Sequence, residues 1–192
     1  MPRASEAPAE PAGLDRTDLR ILAELQRDGR LTNQELAERV SLSPSPCLRR
    51  VRRLEEAGVI RGYVALIDPR AVGLGVVAYS SVKLEKRSPA RGGRIPYDEF
   101  REAVRDWPEV VACHATTGDV DYLLRVHVGT LDDFSRFVQQ RLLRQPGVLD
   151  VRTSFALDVI KDTTALPLPG SVTPAGPSTS PHPAPRSRSS DA

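Results

Sequence analysis

Four arginines fall within five consecutive positions, Arg49, Arg50, Arg52 and Arg53, with no acid among them. A guanidinium is permanently charged, and its planar fork of donors matches phosphate oxygens and the edge of guanine. Whether four such groups act together depends on the element that carries them. On a helix, counting about 100° per residue from Arg49, Arg52 falls at roughly −60°, Arg53 at roughly 40° and Arg50 at roughly 100°. Leu54, Val51 and Leu48 fall at roughly 140°, 200° and 260°. All four cations thus share one side and the three aliphatics the other, and Ser45 joins the arginine side near the helix start. Cys47 falls on the apolar side, where a packed thiol is expected. A charge run is often no more than a solvated face. Here the single sign and the capped helix directly before it argue for contact with anions. Ser45 and the early arginines are placed to reach base edges, and the later arginines and the amides at helix starts to hold phosphates. The candidate DNA-contacting set is Asn33, Ser43, Ser45, Arg49, Arg50, Arg52 and Arg53.

Such a helix needs others behind it. Asp15 caps a first helix, with Asp18 three residues on near the positive end of its dipole. Leu19, Ile21, Leu22 and Leu25 form its apolar stripe, and Gly29 ends it. Thr32-Asn33-Gln34-Glu35 is a capping box for a second helix with Leu36, Ala37 and Val40 buried. Ser43-Pro44 starts the third, which runs to Ala57 and stops at Gly58. Three short helices with a tight turn before the last have the layout of a helix-turn-helix. The β-branched run from Val59 to Ile67 predicts a strand or strand pair, a small wing behind the third helix.

The second half alternates. Val76 to Leu84 reads as a half-buried strand. Phe100, Ala103, Val104 and Trp107 have helical spacing, Val110 to Thr117 and Tyr122 to Val128 are strands, Leu131, Phe134, Val138 and Leu142 mark a helix capped by Thr130, and Val151, Thr153, Phe155 and Leu157 alternate along a last strand. The order βαββαβ predicts an α+β class, ferredoxin-like sheet with both helices on one face. The other face carries Val77, Tyr79, Leu123 and Phe155 and needs cover; a second copy of the chain is the expected partner. Residues 85–96 form a basic loop (Lys86, Arg87, Arg91, Arg94), expected to be solvated.

Composition sets the limits. With 27 Lys and Arg against 25 Asp and Glu, the net charge is only +2 over 192 residues, which excludes a wholly polybasic protein. Cys47 and Cys113 alone build neither a disulfide framework nor a zinc cluster. No apolar run reaches membrane-spanning length and the N-terminus lacks a secretory core. A cytoplasmic protein with no membrane partner, no metal and no cofactor is expected. Proline, Ser and Thr mark 1–13 and 162–192 as disordered tails. Between them, 14–63 reads as the helix-turn-helix domain, 64–75 as a linker and 76–161 as the sheet domain.

Four segments together resemble the Lrp/AsnC family, the feast/famine transcription regulators: LDRTDLRILAELQRDGR, LTNQELAERVSLSPSPCLRRVRRLEEAGVIRGYVALIDP, TTGDVDYLLRV and LLRQPGVLDVRTSFALDVIK. The resemblance implies an N-terminal winged helix-turn-helix, with the helix-turn-helix at about 33–52, and a C-terminal RAM domain. It also implies homodimers that assemble into octamers or other higher forms, and a small effector, usually an amino acid, bound between RAM domains. Its effector loop corresponds to Thr117, Gly118, Asp119, Asp121 and Tyr122. The chemistry suits an amino acid: Gly118 lets backbone N–H groups approach a carboxylate, and Asp119 or Asp121 can meet an ammonium. His114 and Thr116 are close enough in sequence to line the same cleft. Gly-Asp is equally common hairpin chemistry, so these aspartates can instead serve the turn alone.

The expected function is a sequence-specific DNA-binding transcriptional regulator modulated by an amino acid, not an enzyme and without catalytic residues. Two alternatives stand beside it. One is an enzyme resembling the sirohaem decarboxylases of the same fold, with His114, His127 or Tyr122 for proton chemistry. The other is a nucleoid-type architectural protein with little sequence preference.

Overall fold

The computed structural model describes residues 13–86 and 95–169. The expectations for most of the basic loop and for the tails at 1–12 and 170–192 lie outside the described residues. The chain forms two compact units. One runs up to Val64 and regains the chain at Thr163; the other is Ala65–Asp162.

The first unit holds α1 (Arg16–Arg27), α2 (Asn33–Arg39) and α3 (Pro44–Glu56). Both expected capping boxes form. The Asp15 carboxylate accepts from the Thr17 and Asp18 N–H groups while Asp18 accepts from the Asp15 N–H, and Thr32 and Glu35 do the same for α2. These boxes satisfy amides that a helix start leaves without partners. Ile21, Leu36, Ala37, Val40, Cys47 and Leu54 pack between the helices. Burial pushes the Cys47 thiol pKa up, as befits a packed thiol.

Turn geometry sets α3 against α2. Val40 caps α2, the Ser41 N–H bonds the Glu38 carbonyl at 3.2 Å and the Leu42 N–H bonds the Ala37 carbonyl at 2.8 Å. This paired closure needs a left-handed residue in the middle, and Ser41 takes it at φ 58°.

The expected strand after Gly58 does not form. Val59 and Ile60 instead pack back on the helical core, the Ile60 N–H bonds the Leu54 carbonyl at 3.1 Å, and Gly62 breaks the run at φ 153°. Residues 61–68 continue as exposed extended chain, with Val64 84% and Leu66 75% exposed. A strand exists only by pairing, and these residues have no ladder partner among the described residues. Further on, Arg70–Val72 makes a single 3-10 turn within the expected linker.

The second unit holds β1 (Val76–Leu84), α4 (Pro96–Ala103), β2 (Val110–Ala115), β3 (Tyr122–Val128), α5 (Leu131–Gln140) and β4 (Val148–Phe155). The strands form one antiparallel sheet ordered β2-β3-β1-β4. Ala78, Val82, Leu84, Leu124, Val126 and Val128 point to the helix side, where Phe100, Trp107, Phe134, Phe137 and Leu142 complete the core. One side-chain assignment is corrected. Phe155 lies opposite Ala78 and packs edge-on against Phe134 at 5.0 Å, so it belongs to the helix side and not the open face. At the turn before β4, Gly147 has φ 78° and lies against Pro96, where an added Cβ would come within 2.5 Å of the ring.

Replacing Ser41 by glycine should stabilise the helical unit by about 1 kcal/mol, because an L residue with a Cβ pays roughly that for left-handed backbone. The urea midpoint of the helical circular-dichroism signal measures it.

Candidate nucleic-acid interface and effector loop

The four arginines of α3 do not act as one group. Arg50 and Arg53 turn toward the start of α1. The Arg50 guanidinium donates to Asp15 at 2.6 Å and to Asp18 at 2.9 Å, and the Arg53 guanidinium donates to Asp18 at 2.5 Å. Asp18 is fully buried, and its carboxylate also accepts the Asp15 N–H at 3.1 Å. The expectation of one outward-facing arginine surface is met only in part: Arg50 is half-buried, and both it and the still exposed Arg53 are paired with carboxylates that a helical projection cannot place, because they come from another helix. The bond from the Asp18 N–H, followed by Arg50, holds the Asp15 carboxyl below the usual carboxylate range.

What lies outside these pairs is a narrower strip. Ser45, Arg49 and Arg52 are exposed. Leu48 joins them at 37% exposure, although the projection assigns it to the buried side. The signal that finds it is its distance from Leu54 around the helix, wider than that of Val51. Such a strip offers guanidinium forks, a hydroxyl and one apolar contact of the kind that meets a thymine methyl.

At the start of α3, Ser43 takes the N-cap backbone position but its hydroxyl makes no capping bond, and Pro44 and Pro46 occupy the first turn. The Asn33 side-chain N–H donates to the Pro44 carbonyl at 2.9 Å, so it ties the start of α2 to the start of α3, while its buried Oδ1 has no partner.

The loop between β2 and β3 separates its residues in the same way. Thr116 closes it, donating N–H to the Asp121 carbonyl and hydroxyl to the Val120 carbonyl, each at 2.9 Å. Gly118 has φ 107°, and Thr117, Gly118, Asp119 and His114 are exposed. Asp121 is a strut: one carboxylate oxygen accepts the Leu84 N–H at 2.7 Å and the other the Tyr97 hydroxyl at 2.5 Å. Burial raises the Asp121 carboxyl, but Leu84, Tyr97 and the charges of Lys86 and Lys83 outweigh it, so it ionises below its ordinary range. The same bond, with burial, pushes the Tyr97 hydroxyl up to about 12. Tyr122 is buried on the helix side, with its ring centroid 4.8 Å from that of Phe100. A cleft of about 350 Å³ in this unit lies elsewhere, lined by Glu109, His127, Asp133 and Arg141 among others, and none of the loop residues faces it.

A winged helix-turn-helix DNA-binding model matches residues 14–61, and the Lrp/AsnC ligand binding domain model matches 78–166. The chain belongs to the Lrp/AsnC family. It is 40% identical over 153 residues to the leucine-responsive regulatory proteins of Klebsiella pneumoniae and Escherichia coli K12, covering 80% of this chain and 90% of each relative. Among solved structures, a Neisseria meningitidis transcriptional regulator in complex with L-Met matches with TM-score 0.75 and 49% identity, over 80% of this chain and 96% of the other. An AsnC family regulator from Agrobacterium tumefaciens matches with TM-score 0.73 and 40% identity, over 80% and 97%. The protein is thus a ligand-modulated DNA-binding transcriptional regulator, with the α+β architecture of its family.

The residues considered for proton chemistry do not meet in this Lrp/AsnC chain. His114 stands opposite Leu123 on the β2–β3 ladder, while His127 donates its backbone N–H to the Glu109 carbonyl toward the other end. Among the described residues no cluster of three His, Cys, Asp or Glu is arranged to hold a metal, and no helix is long and apolar enough to cross a membrane.

Removing the buried carboxylate by Asp18→Asn should cost the first unit about 2–3 kcal/mol, discounted from a fully buried pair because both arginines reach solvent. Urea unfolding followed by helical signal checks it, with Arg49→Ala expected to shift the midpoint by less than about 0.5 kcal/mol.

The raised Tyr97 pKa has a sign that can be tested. Its contribution to stability is complete below about pH 10, the unfolded value, and is lost as the pH climbs through the folded value. The sheet unit should therefore weaken between about pH 10 and pH 12, and Tyr97→Phe should flatten that slope. Thermal melts across this range measure it.

Proposed function

We propose that this regulator reads operator DNA through the strip Ser45, Leu48, Arg49 and Arg52, while Arg50 and Arg53 orient the helix. The observation that carries the reading is the division of the four arginines: Arg50 and Arg53 are paired with Asp15 and Asp18, Arg53 while still exposed, whereas Arg49 and Arg52 are exposed outside those pairs. Ser45, Leu48 and the early arginine face base edges, and Arg52, with the unbonded Ser43 hydroxyl, meets phosphates. Asn33 acts through its bond to Pro44, setting the angle of the reading helix.

The effector is an amino acid. This is supported by the L-Met complex of the Neisseria regulator at 49% identity and by the exposed Thr117, Gly118, Asp119 and His114. Backbone N–H groups near Gly118 suit the carboxylate and Asp119 the ammonium. In one chain this loop is a rim without a pocket, so a second copy supplies the rest of the site. The same pairing covers the open sheet face with Val77, Tyr79 and Leu123, and places two reading heads on one DNA. An effector that binds one assembly better than another shifts the population toward it, and with it the spacing of heads.

Fluorescence anisotropy tests this on DNA from the gene's own upstream region and on random DNA, over a salt series, with and without L-Met and other amino acids. Arg49→Ala and Arg52→Ala should each weaken binding by about 1–3 kcal/mol, and a lost phosphate contact should lower the salt slope by about one. Arg50→Ala should leave the slope unchanged. Unaltered binding in both exposed-arginine variants would sink the assignment of the reading strip. Equal affinity for both DNAs would indicate an architectural protein instead.

A further inference from the structure

The segment after β4 was expected to be part of a free tail, yet its first stretch is seated on the DNA-binding unit. The Leu166 N–H donates to Gln26 Oε1 at 2.6 Å, and Gln26 Nε2 donates to the Leu166 carbonyl at 3.3 Å. A glutamine amide carries one acceptor and two donors and so matches both polar groups of a single peptide residue, as a neighbouring strand would. Two residues on, Leu168 packs against the helical core cluster that contains Ile21, Leu36 and Leu54. Pro167 and Pro169 flank it. Proline holds φ near the extended value and presets the segment for this contact, so little chain entropy is lost on docking. The Thr163 hydroxyl accepts the Ala165 N–H at 3.1 Å and bends the chain just before the contact.

The stretch leading there is anchored at its other end. The Ala156 N–H bonds the Val77 carbonyl at 2.9 Å, closing β4, and Asp162 pairs with Arg125 of β3 at 3.7 Å. The chain passes between its two units twice, at Val64–Ala65 and again at Asp162–Thr163. The second passage has short reach: residues 156–165 span at most about 35 Å even if straight.

We infer that Thr163–Leu168 is a clasp, and that the end of α1 is its docking surface. Seated, it limits how far each reading head can turn from the sheet domain that carries it. Gln26 is exposed and Leu168 only half-buried, so water competes with both halves of the contact and the clasp opens and closes without unfolding either unit. A clasped head is pre-oriented, which favours DNA whose half-sites have one spacing; a released head tolerates several but pays for ordering on each. The second part of this inference rests on the reading strip proposed above.

The test uses the full chain with Gln26→Ala, which removes both the acceptor for the Leu166 N–H and the donor to its carbonyl, and Leu168→Ser, which removes the apolar anchor. Neither residue lies on α3. Hydrogen exchange at the Leu166 amide, read by NMR, should be at least tenfold slower in wild type than in either variant. Anisotropy on DNA with two half-sites should show three- to tenfold weaker binding by the variants at the preferred spacing, and unchanged binding to a single half-site. Wild-type Leu166 exchanging at the rate of unstructured chain overturns the clasp; variants that keep the wild-type spacing preference overturn its role. Absence of wild-type binding to a single half-site would instead refute the reading strip, leaving the clasp to be judged by exchange.

Discussion

A buried carboxylate organises the DNA-reading unit. Asp18 lies beneath the start of α1 with no exposure, and its charge is tolerable there only because two guanidinium groups and a backbone N–H surround it. The same side chain closes the capping box of α1. One residue thus fixes where the first helix starts and at what rotation the third lies against it. That rotation decides which residues of α3 face outward. On the proposed reading, binding specificity then depends on a buried acid that is not itself part of the reading strip.

Much of the architecture was legible in the amino-acid order. Capping boxes at Asp15, Thr32 and Thr130 mark helix starts through local hydrogen bonding, and the two-residue alternation along Val76–Leu84 and Tyr122–Val128 reports which side of a sheet is dry. Such signals are local, and local order survives into the fold. What failed was non-local. A helical projection gives angles but no neighbours, so it could not place Arg50 and Arg53 on the carboxylates of α1. A β-branched run gives strand propensity but no ladder partner, so the segment after Gly58 was expected to pair and finds no partner among the described residues.

The loop between β2 and β3 shows a milder version. Asp119, Asp121 and Tyr122 are adjacent in sequence and easily read as one site. Strand parity already separates them, since Tyr122 shares its side with Leu124 and Val126 and is drawn into the core. The role of Asp121 was harder to see, because its partners come from β1 and from the start of α4. Leu166 and Leu168 were masked by composition: two apolar residues within a proline- and serine-rich stretch look like tail until a surface complementary to them is known.

The return of the chain to α1 has a bearing on biosynthesis. A ribosome completes the three helices long before it reaches Leu168, so the nascent DNA-binding unit exists for a time without the leucine that packs on it from the far side of the sheet domain in sequence. On the clasp inferred above, only a chain translated past the sheet domain acquires that contact. A premature stop or proteolytic cut ahead of Thr163 would, on the same inference, leave the three helices intact and the clasp missing, which makes a segment beyond the sheet domain a check on the unit that precedes it.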